Sequence, residues 1–185
     1  MKTIHIAGIV GSLRQKSYNK WALQAAAHEL PAGAELEIIS IADLPMYNQD
    51  LEEAGDPAVV QAFKEKLREA DAVLIATPEY NYSVPGVLKN ALDWASRPTG
   101  KSVLTGKPVA IMGASYGPYG TVRAQMSLRQ SLGYINAFSL NKPDVFITYA
   151  DQKFAADGDL RDVKTREQIR ALLEALVEWT RLLAR

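Results

Sequence analysis

The chain has 185 residues, 48% of them apolar and 23% charged, which suits a globular protein able to bury its own core and excludes disorder and a collagen-like rod. Its 21 Lys and Arg balance 21 Asp and Glu, which argues against nucleic acid or a membrane surface as partner and against a strongly acidic electron carrier. With no cysteine and two His, a disulfide framework, an iron–sulfur cluster and a thiol nucleophile are excluded, zinc has few ligands, and a reducing cytoplasm fits. Ile4 to Val10 reads as a strand covered on both faces, because polar residues hardly alternate along it. It carries His5 and Gly8 and is followed by Gly11, and no small-residue cleavage site follows, so it is not a secretory signal; no run approaches the roughly 20 apolar residues that span a bilayer.

Gly11-Ser12 turns the chain into a helix that starts near Ser17–Asn19 and runs to Glu29, and Leu36 to Ile39 is a second strand. The stretch from Asp43 to Asp56, with Pro45, Asn48 and Gly55, reads as a long loop. Asp56-Pro57 then opens a helix to about Glu69, with Asp as N-cap and Pro at the first helical position. Ala72 to Thr77 is the third strand; a loop from Pro78 to Ser83 and a helix from Val84 to Ala95 follow, with Pro85 tolerated in its first turn. Val109 to Ala114 is the fourth strand, leading through a Gly-rich loop to a helix from about Val122 to Leu132. Phe138 to Leu140 and Val145 to Ile147 offer a fifth strand broken by Asn141-Lys142-Pro143. The last helix places Ile169, Leu172, Leu173, Leu176, Val177 and Leu183 on one stripe.

Strands alternating with helices predict an α/β protein: one domain over residues 1–185, built on a doubly wound five-stranded parallel sheet with helices on both faces. For five strands the flavodoxin-like order 2-1-3-4-5 fits better than a six-stranded dinucleotide fold, and it puts a ligand at the carboxyl ends of strands 1, 3 and 4. Three unusual loops follow those strands.

The first loop, Gly11 to Asn19, enters a helix N-terminus, whose unpaired N–H groups and partial positive charge favour an anion. Ser12, Ser17 and Asn19 add neutral donors, and Arg14 can grip a phosphate with two bonds. The loop matches neither the G-x-G-x-x-G fingerprint nor the P-loop, and an ordinary turn with Ser17 or Asn19 as N-cap is the alternative. The second loop, Pro78 to Gly86, carries two prolines with Tyr80 and Tyr82: a flat-walled lip for a planar heterocycle, or a cover for the sheet edge. Glu79, alone in that loop, is expected to be solvated and is assigned no proton transfer. The third loop, Gly113 to Gly120, holds three glycines that let the backbone approach a ligand, or is an ordinary connection.

Together these loops resemble the NADPH-dependent FMN reductase family, the flavodoxin-like group that includes chromate, quinone and azo-dye reductases. The matching segments are Gly11 to Arg14 with Ser17 and Asn19, then Pro78 to Gly86 continuing through Leu88 to Trp94, and Arg123-Ala124-Gln125 with Leu128-Arg129-Gln130. The resemblance implies that Ser12, Arg14, Ser17, Tyr18 and Asn19 hold an FMN phosphate and that Pro78, Glu79, Tyr80, Asn81 and Tyr82 line the isoalloxazine. It implies further that Ser115 and Gly117 approach the ring from the other side, although Pro118 and Tyr119 depart from the family's usual Gly-Gly-rich form. The implied protein is an oxidoreductase, a flavoprotein with bound FMN, reduced by NADPH or NADH and passing hydride to a small electron acceptor such as a quinone, chromate, an azo compound or free flavin. Such a protein needs no catalytic acid or base and no metal; it anchors phosphate, orients the ring and supplies a donor near flavin N1/O2, for which backbone amides of the third loop are candidates. A non-enzymatic flavodoxin-type electron carrier or a flavin-binding regulatory protein is the alternative.

The family's members pair, which implies a homodimer or homotetramer with the flavin near the subunit boundary. In the helix from Val84 to Ala95, Val87, Leu88, Ala91, Leu92 and Ala95 exceed a narrow stripe, and Trp94 is the expected interface anchor beside a Lys89–Asp93 pair. The alternative is that Trp94 packs under a loop of its own chain.

Overall fold

The two most apolar runs, β3 (Ala72–Ala76) and β4 (Pro108–Ala114), lie in the middle of a parallel sheet and are buried along their whole length. The computed structural model describes residues 2–184. Around that pair stand β1 (Ile4–Val10), β2 (Ala34–Ile39), β5 (Phe138–Ser139) and β6 (Val145–Ile147), in the order β2-β1-β3-β4-β5, with β6 also on β4. This is the expected flavodoxin-like order. The fifth strand is two short pieces: β5 pairs with Pro108 and Val109, β6 with Met112 to Ala114, and the Asn141-Lys142-Pro143 break lies between them.

Alternate residues of each strand serve opposite faces, the period-two rule of the pleat. Ile6, Leu74, Ala110 and Met112 pack in one core with α1 (Tyr18–His28) and the long last helix, which precedes the C-terminus. Ile9, Val73, Ile75 and Ile111 pack in a second core with α3 (Ala58–Glu69), α4 (Gly86–Ala95) and α5 (Val122–Tyr134). The sequence reading of the elements needs four corrections. The loop from Asp43 to Asp56 contains a short helix, α2 (Gln49–Glu53), which buries no residue and is capped by Asn48. Asp56 caps nothing: its carboxylate pairs with Lys64 at 2.5 Å, and Pro57 stands at the N-cap in extended conformation, so α3 starts at Ala58. Pro85 is likewise extended at the N-cap of α4, which delays that helix from Val84 to Gly86. Leu183, in the last turn of the C-terminal helix, is exposed despite its place on the stripe.

A short α6 (Ala150–Lys153) leads into that helix, α7 (Val163–Leu183), whose N-cap is Asp162. Its carboxylate accepts from Thr165 N at 2.9 Å and from the Thr165 hydroxyl, and these bonds hold it below the usual carboxylate range. A depressed native pKa stabilises the fold above the unfolded pKa and ceases to do so as pH falls through the native value. Asp162→Ala is therefore expected to cost about 0.5–2 kcal/mol at neutral pH, with the deficit against wild type closing in acid. Urea unfolding at the two pH values checks it; a deficit that persists unchanged in acid contradicts the cap.

Candidate functional site

Because β1, β3 and β4 are adjacent, their carboxyl-end loops meet. They enclose a cavity of about 140 Å³. Ser12, Arg14, Ser17, Tyr18 and Asn19 line it from the first loop, Pro78, Glu79 and Tyr80 from the second, and Ser115 with Tyr116 from the third. Asn81, Tyr82 and Gly117 stand outside that lining. A larger cleft of about 790 Å³ lies at the opposite end of the sheet, but its cations are largely spent: Lys2 pairs with Asp71, and Lys107 donates to the carbonyls of Arg68 and Ala70.

The first loop leads into the N-terminus of α1. Ser17 is the N-cap, its hydroxyl accepting from Lys20 N at 3.4 Å, and the N–H groups of Tyr18 and Asn19 have no partner among the described residues. Arg14 is exposed and forms no ion pair among the described residues; its guanidinium lies 6.0 Å from the Tyr18 ring centre. Ser12 Oγ accepts from Arg14 N at 3.3 Å and steadies the turn. Asn19 departs from expectation. Its side chain is buried and bonded twice to Ala114, Nδ2 to the carbonyl at 3.0 Å and Oδ1 from the amide at 2.8 Å, so it stitches α1 to the end of β4 and has only its main-chain N–H to offer a phosphate.

Tyr116, which the sequence reading did not single out, closes this end of the cavity. Its ring meets Tyr18 edge-on at 5.0 Å. A hydrogen bond between their hydroxyls pushes the Tyr18 phenol up to about 12, so Tyr18 stays a neutral donor through the physiological range. The same bond, with help from Arg14, draws the Tyr116 phenol below its ordinary value. Its position next to Ser115 in the Gly-rich loop was the available signal.

The second loop is a tight hairpin turn. Tyr80 N donates to Ser83 O at 3.1 Å and Ser83 N to Tyr80 O at 3.0 Å, while Asn81 and Tyr82 between them have φ of 50° and 67°. Two positive φ values in a two-residue loop are the type I′ pattern. Glu79 is not solvated, contrary to expectation: it accepts from Arg123 N at 2.9 Å, Ala124 N at 3.1 Å and the Arg123 side chain, and its own side chain is only 9% exposed. The Arg123 guanidinium lies 3.8 Å from the Tyr82 ring centre and 4.5 Å from that of Tyr119. Tyr82 therefore stacks on Arg123, and Arg123 is a site residue whose partnership across 44 positions has no local signature.

In the third loop two glycines are required by packing alone. A Cβ on Gly113 would lie 1.9 Å from Thr121 Oγ1 and 2.4 Å from the Thr77 carbonyl, and Gly120, at φ 53°, presses against Phe146. Gly117 has open space where its Cβ would be, so nothing inside the chain demands a glycine there. The Ser115 amide donates to Ile147 O at 3.0 Å and its hydroxyl to Gly117 O at 3.3 Å, which takes the Ser115 amide out of the third loop's candidate main-chain donors. The amides of Tyr116 and Gly117 make no hydrogen bond among the described residues.

A doubly wound sheet with a helix N-terminus, a free arginine and an aromatic lip at its switch point defines a flavodoxin-like mononucleotide-binding protein. Residues 4–152 match the NADPH-dependent FMN reductase family, and the chain belongs to it. Over 180 residues, 97% of both chains, it is 51% identical to an NAD(P)H-dependent FMN reductase of Pseudomonas aeruginosa. It is 42% identical to a 2-hydroxy-1,4-benzoquinone reductase of a Burkholderia species, covering 96% of this chain and 97% of the relative. The structure superimposes on the flavoenzyme NAD(P)H:(acceptor) oxidoreductase FerB of Paracoccus denitrificans with a TM-score of 0.89 at 37% identity, over 97% of this chain and 98% of that one. The chain is thus a flavin-dependent NAD(P)H oxidoreductase with FMN as its cofactor. No described helix is long and apolar enough to cross a membrane.

Proposed function

We propose that residues 1–185 form one FMN-binding domain that reduces a small quinone-type acceptor at the expense of NAD(P)H. The observation that carries this reading is the meeting of the three loops in one cavity at the N-terminus of α1. The donor set suits a phosphate monoester: the Arg14 guanidinium, the Ser12 and Ser17 hydroxyls, and the N–H groups of Tyr18 and Asn19. Pro78 to Tyr82 would form the lip that orients the ring, and the amides of Tyr116 and Gly117 are the third loop's candidates to stabilise the charge of the reduced ring. When bound, FMN supplies the redox chemistry, so that NAD(P)H, a proton and a quinone become NAD(P)⁺ and a hydroquinone. No side chain here is assigned proton transfer, and Glu79 in particular has its carboxylate engaged.

The quinone class is supported by the name of the Burkholderia relative. Cytoplasmic residence is supported by the absence of cysteine. Assembly as a homodimer or homotetramer is supported by the exposed aromatic rim around the site, where Tyr80, Tyr82 and Tyr119 are each more than half exposed. The test is anaerobic: the purified, FMN-loaded protein should bleach with NADPH or NADH and recover its colour stoichiometrically with a benzoquinone. Heating should release FMN. Release of FAD, or a loaded protein that neither nicotinamide reduces, returns the chain to the carrier or regulatory reading.

A further inference from the structure

We propose that Glu79 is the positioning residue of the lip: its carboxylate locks the Asn81–Tyr82 turn onto the first turn of α5, so that the turn is already shaped when a ring arrives. The turn needs such a lock. Type I′ turns favour Asn-Gly because both central residues take positive φ, yet here the second is Tyr82, at φ 67°. A bulky side chain in that conformation persists only when its surroundings impose it.

All the restraints come from one element. Glu79 holds Arg123 N, Ala124 N and the Arg123 side chain; Arg123 in turn lies flat against Tyr82; and Ser83 Oγ meets Ser127 Oγ at 3.2 Å. The dependence runs both ways. Thr121, at the N-cap of α5, sits at φ 68° and makes no capping bond, its hydroxyl instead accepting from Gln125 Nε2. Two of the first-turn N–H groups of α5, those of Arg123 and Ala124, are therefore closed by a carboxylate from another loop, where the helix dipole favours negative charge. The result is a single unit of lip and helix whose Asn81 and Tyr82 N–H groups make no hydrogen bond among the described residues.

This inference rests on the FMN reading only for what the lip meets, and the shape of the lip can be read without cofactor. Amide hydrogen exchange of the apoprotein compares wild type with Glu79→Gln, which keeps size and one acceptor oxygen but loses the charge. Exchange at Tyr80 and Ser83 should accelerate about tenfold while β3 and β4 stay protected, and FMN affinity, read by quenching of flavin fluorescence, should fall about tenfold. Arg123→Met leaves both main-chain donors to Glu79 and should move both readouts the same way by less. A Glu79→Gln protein with a lowered melting temperature but unchanged lip exchange and FMN affinity would make Glu79 a helix cap only, and overturn the proposal. If Glu79→Gln does not fold, Arg123→Met decides, unchanged lip exchange again being the refutation. A wild-type chain that binds no flavin refutes the FMN reading, while the exchange comparison still tests the lock.

Discussion

Trp94→Ala is expected to remove about 3–5 kcal/mol of folding stability, read as the shift in the midpoint of urea or thermal unfolding. The indole is completely buried within its own chain, between α4 and the segment before α2. Its Nε1–H donates to the Pro45 carbonyl at 2.8 Å, Tyr47 meets it edge-on at 5.1 Å, and the Lys64 ammonium lies 5.7 Å from it. Truncation would leave a large cavity and take one of two donors from Pro45 O, the other being Asn90 Nδ2. This overturns the expectation that Trp94 anchors a subunit interface. Trp94→Glu would unfold the protomer rather than separate subunits, whereas Trp94→Phe should leave the mass measured by light scattering unchanged. A Trp94→Ala protein of near-wild-type stability would contradict this account of the packing.

Arg14→Ala should weaken FMN binding by about 1.5–3 kcal/mol, roughly tenfold to a hundredfold in Kd. The guanidinium is exposed, without a carboxylate partner among the described residues, beside two free helix N–H groups. Arg14 belongs to neither core and is exposed, so unfolding midpoints of the apoprotein should stay at the wild-type value. Arg14→Lys restores the charge but not the two-pronged geometry and should recover only part of the loss. Wild-type affinity in Arg14→Ala would reduce Arg14 to a solvated loop charge and leave the phosphate to the helix N-terminus.

What the sequence made legible was whatever burial writes into a period. β3 and β4 read as strands because both faces are covered, and α7 as a helix because Ile169, Leu172, Leu173 and Leu176 recur on one side. The order of the sheet followed from the alternation, and the position of the loops from the order. α2 left no trace because it buries nothing. The Asp56-Pro57 signature misled because the carboxylate has a buried ammonium at hand, and a salt bridge outcompetes a cap. The same limit hid the site's inner wiring: the ties of Asn19 to Ala114 and of Glu79 to Arg123 join residues 95 and 44 positions apart, and neither partner's neighbours announce them.

The division of the last strand into β5 and β6 has a consequence for how the molecule behaves in a crowd. A parallel sheet ends in two rows of main-chain donors and acceptors, each able to recruit a strand from another copy and start edge-to-edge aggregation. On one side only two residues and then three lie in strand conformation, interrupted by Leu140 to Asp144, so an incoming segment meets no continuous ladder. On the other side β2 is longer, but the charged side chains of Glu35 and Glu37, the latter paired with Lys66, stand exposed along it and disfavour an apolar incoming strand. The sheet is protected by interruption at one border and by charged side chains at the other.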